Sequence, residues 1–262
     1  MISLLHPLIR GLILDMDGVL WRGNEPIGDL RAIFSQINRL GLTTVFATNN
    51  SSLSPTAYQK KLAGFGVKVQ ADQIITSATA VAMYLKENFA SSSAVYVIGE
   101  EGLRQSIRAA GFNISSNGAC AVIVGLDREL SFEKLREATL LIRAGAVFIG
   151  TNPDRTYPSP EGLTPGAGSI IAAIEAATDT QPVILGKPYP HLLELSVKRL
   201  NLPQDQILLV GDRLETDIAG GQNAGLKTAL VLTGVSTLQE VGKWDPKPDM
   251  IAPSLAALVG IE

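Results

Sequence analysis

The sequence predicts an α/β protein: a parallel-sheet core interrupted by an inserted α/β segment. Two observations predict it. Short apolar runs alternate with stretches of helical periodicity along nearly the whole chain, the rhythm of strand–helix–strand crossovers. Two small polar joints, Ala90-Ser91-Ser92-Ser93 and Thr178–Gln181, break that rhythm and set off a middle block with its own α/β series. With 262 residues and 46% hydrophobic composition, the chain can fill one large core or two smaller ones.

The elements follow in order. Leu12-Ile13-Leu14 reads as a short buried strand that ends abruptly in Asp15-Met16-Asp17-Gly18. Trp21-Arg22-Gly23-Asn24 is a polar excursion. Asp29 to Leu40 has helical spacing, with Leu30, Ile33, Phe34, Ile37 and Leu40 on one face and Gly41 as the stop. Thr43 to Ala47 is a second strand, ending in Thr48-Asn49-Asn50-Ser51, and Pro55 opens a helix to about Ala63. A helix follows from about Ile75 to Asn88.

In the middle block, strands are expected at Val95–Ile98, Ala119–Val124 and Ala146–Ile149. Helices are expected at Glu101–Ala110, Phe132–Ala144 and Ser169–Ala177. The Pro- and Gly-rich stretch Thr151 to Gly168 reads as an irregular loop, a type that is usually functional in a compact domain. The first rhythm is then expected to resume: strand Val183–Leu185 ending at Gly186-Lys187-Pro188, helix His191–Leu200, strand Ile207–Val210 ending at Gly211-Asp212-Arg213, helix Thr216–Ala224, strand Thr228–Leu232 and a short strand at Met250-Ile251.

Composition excludes several classes. The net charge is −3 and the pI about 5.5, so no basic face points to nucleic acid. The one cysteine, Cys120, lies in an apolar run and reads as a buried, inert thiol. Two distant histidines, His6 and His191, supply a zinc cluster or His relay poorly, although His191 could line a site. No basic leader and no bilayer-length apolar stretch is seen, so the expectation is a cytoplasmic protein with no membrane partner.

The chemistry collects where strands end. Asp15 and Asp17 follow the first, Thr48 and Asn49 the second, Lys187 one after the insert, and Asp212 another, with Asp217 a turn later. Ligands of open α/β sheets bind outside the carboxyl ends of the strands. Asp15, Asp17 and Asp212 can hold a hard cation such as Mg²⁺. Lys187 and Thr48 can meet phosphoryl oxygens. One carboxylate can attack phosphorus while another serves as general acid and base. Each cluster alone also has an ordinary reading as a turn, a helix cap or a surface lysine; the joint pattern does not. An EF-hand fails at Val19, and Gly186-Lys187 lacks the glycine and hydroxyl residue of a P-loop.

These motifs resemble the haloacid dehalogenase (HAD) superfamily of phosphohydrolases, in its subfamily IIA, the NagD-like and p-nitrophenylphosphatase-like branch. The resemblance rests on Asp15-Met-Asp17-Gly18-Val-Leu-Trp-Arg22-Gly23, Thr48-Asn49-Asn50-Ser51, Gly186-Lys187-Pro188 and Gly211-Asp212-Arg213-Leu-Glu-Thr216-Asp217. It implies a Rossmann-like parallel-sheet core domain (1–82 and 182–262) with an inserted C2-type α/β cap domain (83–181). It implies that Asp15 is nucleophile and metal ligand, and that Asp17 is general acid/base and a ligand through its carbonyl. Thr48 would donate to the phosphoryl group, Asn49 shape that pocket, and Lys187 neutralise charge. Asp212 would complete the Mg²⁺ site, with Asp217 supporting it from outside or through water. Asn152 and Asp154 would read the substrate from the cap.

The expected function is a Mg²⁺-dependent phosphomonoester hydrolase for small phosphorylated metabolites. A phosphotransferase or phosphomutase, or a non-catalytic phosphate-binding module, stays open at this point, as does a homodimer.

Overall fold

The computed structural model describes Ile2, residues 8–159 and residues 162–261; His6 lies outside the described residues. The chain divides into two compact units. The first comprises residues up to Thr48, Pro55–Ile75 and the chain from Lys187 on; the second comprises Asn49–Ser54 and Thr76–Gly186.

The first unit is built on a six-stranded sheet. Its order is Met250–Ala252, Lys227–Val231, Ile207–Gly211, Gly11–Leu14, Thr43–Thr48 and Ile74–Thr76. The central strands pair in parallel, with Leu14 opposite both Val210 and Phe46. Gly11–Leu14 and Ile207–Gly211 are buried at every position. That explains why they read as unbroken apolar runs and not as alternating strands. The helix Leu30–Arg39 turns Leu30, Ile33, Phe34 and Ile37 into the core, and Asp29 caps it by accepting from Ala32 N at 3.1 Å. Pro190–Leu200 packs against Thr43–Thr48 and Gly11–Leu14.

The second unit has its own parallel five-stranded sheet. Its order is Val183–Ile184, Val147–Gly150, Ala121–Val124, Ala94–Ile98 and Asn113–Ile114. Ile98, Val122, Val124, Ala138, Ile142, Phe148, Ile170 and Ile174 fill a separate core.

Several elements depart from the sequence expectation. Val183–Ile184 does not resume the first sheet; it pairs with Ile149 and Gly150 in the second. The chain therefore changes unit between Gly186 and Lys187, and it first enters the second unit at Asn49, well before residue 83. Close approach is the physical reason for the early entry. Gly102 lies so near Ser52 and Leu53 that an added Cβ would meet their backbone at 2.5–2.6 Å, which ties the segment after Thr48 to the helix Glu101–Ala109.

The expected irregular loop carries an antiparallel hairpin, Thr156–Ser159 with Gly162–Pro165. The polar excursion after Gly18 is a tiny hairpin, Trp21–Arg22 with Glu25–Pro26, whose Trp21 is fully buried. The helix expected from Thr216 is a wide turn, Leu214–Ile218, followed by a short helix, Ala219–Asn223. Cys120 is half-buried. Among the described residues, no helix is long and apolar enough to cross a membrane.

Candidate active site

Gly11–Leu14 is the strand at which the order of the first sheet reverses. One neighbour, Thr43–Thr48, comes next among the sheet's strands in the chain; the other, Ile207–Gly211, returns from beyond residue 187. Such a switch point opens a crevice at the carboxyl edge. Because Leu14 lies level with Phe46 and Val210, the three strands deliver Asp15, Thr48 and Asp212 to that one edge. All three are buried.

Lys187 comes from the start of the segment leading into the helix Pro190–Leu200, not from the end of a strand of this sheet. Its side chain is 1% exposed. Nζ donates to Asp15 Oδ1 at 2.6 Å and to the Ala47 carbonyl at 2.7 Å, and it lies 2.7 Å from Asp217 Oδ1. An ammonium has three protons, and three acceptors face it. Asp217 has a second duty: its Oδ2 accepts from the backbone N–H groups of Asp212 and Arg213 at 3.2 and 3.1 Å. It thus fixes the turn that aims Asp212.

Asp15, Asp212 and Asp217 each bring a carboxylate oxygen within 4.8 Å of the others. The crowding has an electrostatic cost. Burial drives Asp15 well above the ordinary carboxylate range; the Lys187 ammonium opposes this, and the Asp217 and Asp212 charges add to it. Burial and the neighbouring Asp217 push Asp212 up to about 7. For Lys187, burial acts downward, but the Asp15 and Asp217 carboxylates outweigh it and hold the ammonium above the usual lysine value. With all three carboxylates ionised, the one ammonium leaves two negative charges, the balance a divalent cation would neutralise.

Asp17 is half-buried in the turn after the first strand, and its Oδ1 accepts from the Trp21 indole at 3.0 Å. Asn49, Asn152 and Asp154 come together within the second unit. The Asn49 amide donates to Asp154 Oδ2 at 3.1 Å. The Asn152 amide donates to the Asn49 carbonyl at 2.8 Å, while its Oδ1 accepts from Asp154 N at 3.1 Å. Asn152 is thereby engaged in holding two loops together.

Sequence reasoning missed the loop Thr233–Ser236. The Val235 N–H donates to Asp212 Oδ2 at 2.8 Å, the Ser236 N–H to the Asp212 carbonyl at 3.0 Å, and the Thr233 hydroxyl to the Gly18 carbonyl at 2.6 Å. A Cβ on Gly234 would stand 1.8 Å from Asp212 Oδ2. The available signal was the same one used elsewhere: glycine and hydroxyl residues just beyond a buried strand, here Lys227–Val231.

Buried carboxylates, a neutralising lysine and a strand-end hydroxyl at a switch point suit an α/β enzyme that handles phosphate. A family model described as haloacid dehalogenase-like hydrolase matches residues 12–113, and a HAD-hydrolase-like model matches residues 184–258. The 5'-nucleotidase YutF of Bacillus subtilis is 37% identical over 246 residues, covering 94% of this chain and 96% of that protein. The solved 4-nitrophenylphosphatase of Thermotoga maritima is 35% identical with a TM-score of 0.91, covering 96% and 97% of the two chains. The glycerol phosphate phosphatase of Mycobacterium tuberculosis, solved in complex with magnesium, is 34% identical with a TM-score of 0.89, covering 97% of this chain and 78% of that one.

The chain belongs to the haloacid dehalogenase-like hydrolases, in the branch of NagD and the p-nitrophenylphosphatases. It is a phosphatase, in a family that acts on phosphorylated substrates with a divalent metal.

Proposed function

We propose that this phosphatase is a Mg²⁺-dependent phosphomonoesterase of small metabolites that works through an aspartyl-phosphate on Asp15. The observation that carries the reading is the pairing of the buried Asp15 with Lys187 at 2.6 Å inside a cluster of three carboxylates. Oxygen-only donors and two uncompensated negative charges suit Mg²⁺. Asp15, Asp212 and the Asp17 carbonyl would hold it, with Asp217 supporting from behind. When bound, it supplies positive charge beside the phosphoryl oxygens.

In the first half-reaction a carboxylate oxygen of Asp15 bonds to phosphorus. The ester P–O bond breaks, its electron pair stays on the leaving oxygen, and that oxygen takes a proton from Asp17. In the second, water bonds to phosphorus through its oxygen and returns a proton to Asp17. The phosphorus–Asp15 bond then breaks, releasing inorganic phosphate and restoring the carboxylate. Lys187 and the Thr48 hydroxyl offset charge on the phosphoryl oxygens throughout.

We assign the second unit as the cap that reads the leaving group, with Asp154 as its specificity residue. Asn49 and Asn152 brace the loop that carries Asp154. The relatives at 34–37% identity bear names for a nucleotide, a nitrophenyl ester and glycerol phosphate, which supports small phosphomonoesters as the substrate class.

The test is phosphate release from p-nitrophenyl phosphate, glycerol phosphates, sugar phosphates and nucleoside monophosphates, with Mg²⁺ and with a chelator. Release with Mg²⁺ and loss with chelator is expected; undiminished release in chelator would overturn the metal reading.

Metal binding is expected to be linked to protons. An unfolded aspartate titrates near 3.9, whereas Asp212 in the fold is raised to about 7. Between those values the folded state holds a proton that the unfolded state has lost. Stability of the metal-free protein is therefore full below the lower value and falls as pH rises through the upper one. Mg²⁺ should restore it most at the alkaline end, and its affinity should weaken as pH drops from 8 to 6. Calorimetric titration across that range checks this; a pH-independent affinity would contradict it.

Gly234→Ala is expected to lower Mg²⁺ affinity by about 10–100-fold, because its methyl displaces the Asp212 carboxylate. The same titration reads it, and a wild-type affinity would remove this loop from the site.

A further inference from the structure

Trp21 has no part in the chemistry described so far, yet it is built around it. The ring is fully buried. It stacks at 12° on Tyr58, centroid to centroid 6.3 Å, and tilts against Phe65 at 6.0 Å. The Lys61 ammonium lies 4.2 Å from the ring centroid and donates to the Gly23 carbonyl at 2.7 Å. The backbone is fixed too: the Gly18 N–H donates to the Trp21 carbonyl at 2.8 Å, and Asp17 and Trp21 form a bridge. This framework aims the indole Nε1–H at Asp17, donating to Oδ1 at 3.0 Å, and holds the Lys61 charge near enough to act on the same carboxylate.

An aspartate's terminal torsion is broad and turns easily. A half-buried carboxylate at the end of a turn therefore needs an external anchor to keep one orientation. Indole is a donor only, so Oδ1 serves it as an acceptor; the carbonyl oxygen of a carboxyl group accepts better than its hydroxyl oxygen, which favours Oδ2 as the oxygen that carries the proton. A cation over the ring also draws electron density from it, which strengthens the N–H as a donor.

We infer that Trp21 is a positioning residue for the phosphatase reaction: its indole N–H fixes the Asp17 carboxylate so that Oδ2 carries the exchanged proton. This rests on the reading of Asp17 as general acid and base. As the ester P–O bond breaks and its pair stays on the leaving oxygen, the proton passes from Oδ2 to that oxygen. As water then bonds to phosphorus and the phosphorus–Asp15 bond breaks, water's proton returns to Oδ2. Lys61 holds the ring in register.

The test compares two esters. A p-nitrophenolate leaves without a proton, whereas the alkoxide of glycerol phosphate needs one, and kcat/KM reports the step in which the leaving group departs. Trp21→Phe keeps an aromatic ring in the stack and removes the donor. The ratio of kcat/KM for glycerol phosphate to that for p-nitrophenyl phosphate is expected to fall about tenfold. A merely structural role would scale both esters together and leave the ratio at its wild-type value, which would overturn the inference.

Asp17→Asn is measured alongside and should lower the same ratio further. If Asp17→Asn leaves it unchanged, the acid/base reading itself fails; if only Trp21→Phe does, the positioning role alone is lost. Should Trp21→Phe not fold, benzothienylalanine at position 21, with sulfur in place of the N–H in a ring of nearly the same shape, gives the same comparison.

Discussion

Asp15→Asn is expected to abolish phosphate release while leaving the fold intact. A carboxamide oxygen is a poor nucleophile, and loss of a covalent nucleophile costs on the order of 10⁴–10⁶ in kcat where it has been removed cleanly. The fold should survive because Asp15 is a liability to it. Burial and the neighbouring carboxylates already drive this group toward its neutral form, and an amide of the same shape removes that cost. Lys187 keeps Asp217 Oδ1 and the Ala47 carbonyl, each at 2.7 Å, so its ammonium stays paired. Phosphate release and a thermal melt of the metal-free protein read the two halves. Turnover above about 1% of wild type would remove Asp15 as nucleophile, and a melt far below wild type would reveal a structural duty that the geometry does not predict.

Why Asp15 could be found at all is a matter of burial. Gly11–Leu14 is buried on both faces, so any charge at its end stands out against an apolar run, and Thr48 and Asp212 stand out likewise beyond their own strands. Lys187 was legible by residue type but not by position, because Val183–Ile184 reads as one more strand of the first sheet. Two residues of β-structure carry no periodicity that would assign them to one sheet or the other; pairing with Ile149 and Gly150 decides it. Trp21 was hidden by its neighbours. Set among Arg22, Gly23 and Asn24 it reads as part of a polar turn, and only the aromatic stack with Tyr58 and Phe65 reveals a buried anchor. Asn152 carries commitments that the sequence does not show: its amide donates to the Asn49 carbonyl, and its Oδ1 accepts from Asp154 N. The bond to Asn49 crosses 103 residues of chain and leaves no local trace.

Lys187→Met should cost both stability and rate, and the two losses should respond differently to metal. Methionine fills much of the space but leaves two buried carboxylates and a carbonyl facing an apolar group. Removing one partner of a buried ion pair typically costs about 3–5 kcal/mol, and here one ammonium serves both Asp15 and Asp217. Mg²⁺ should recover part of the stability, since it restores positive charge to the same cluster. It should not recover the rate: the ammonium that offsets charge on the attacking carboxylate and the phosphoryl oxygens is gone, a loss of about 10²–10³ in kcat by analogy with other charge-stabilising donors. Lys187→Arg should fail as a rescue, because the three acceptors converge on a single nitrogen at 2.6–2.7 Å, and a guanidinium presents a planar fork in place of a point charge. Denaturation with and without Mg²⁺, set beside kcat for the three proteins, separates these effects. An arginine variant with near-native kcat would mean that charge alone suffices at this position, and a methionine variant keeping more than about a tenth of wild-type kcat would mean that Lys187 serves the fold and not the reaction.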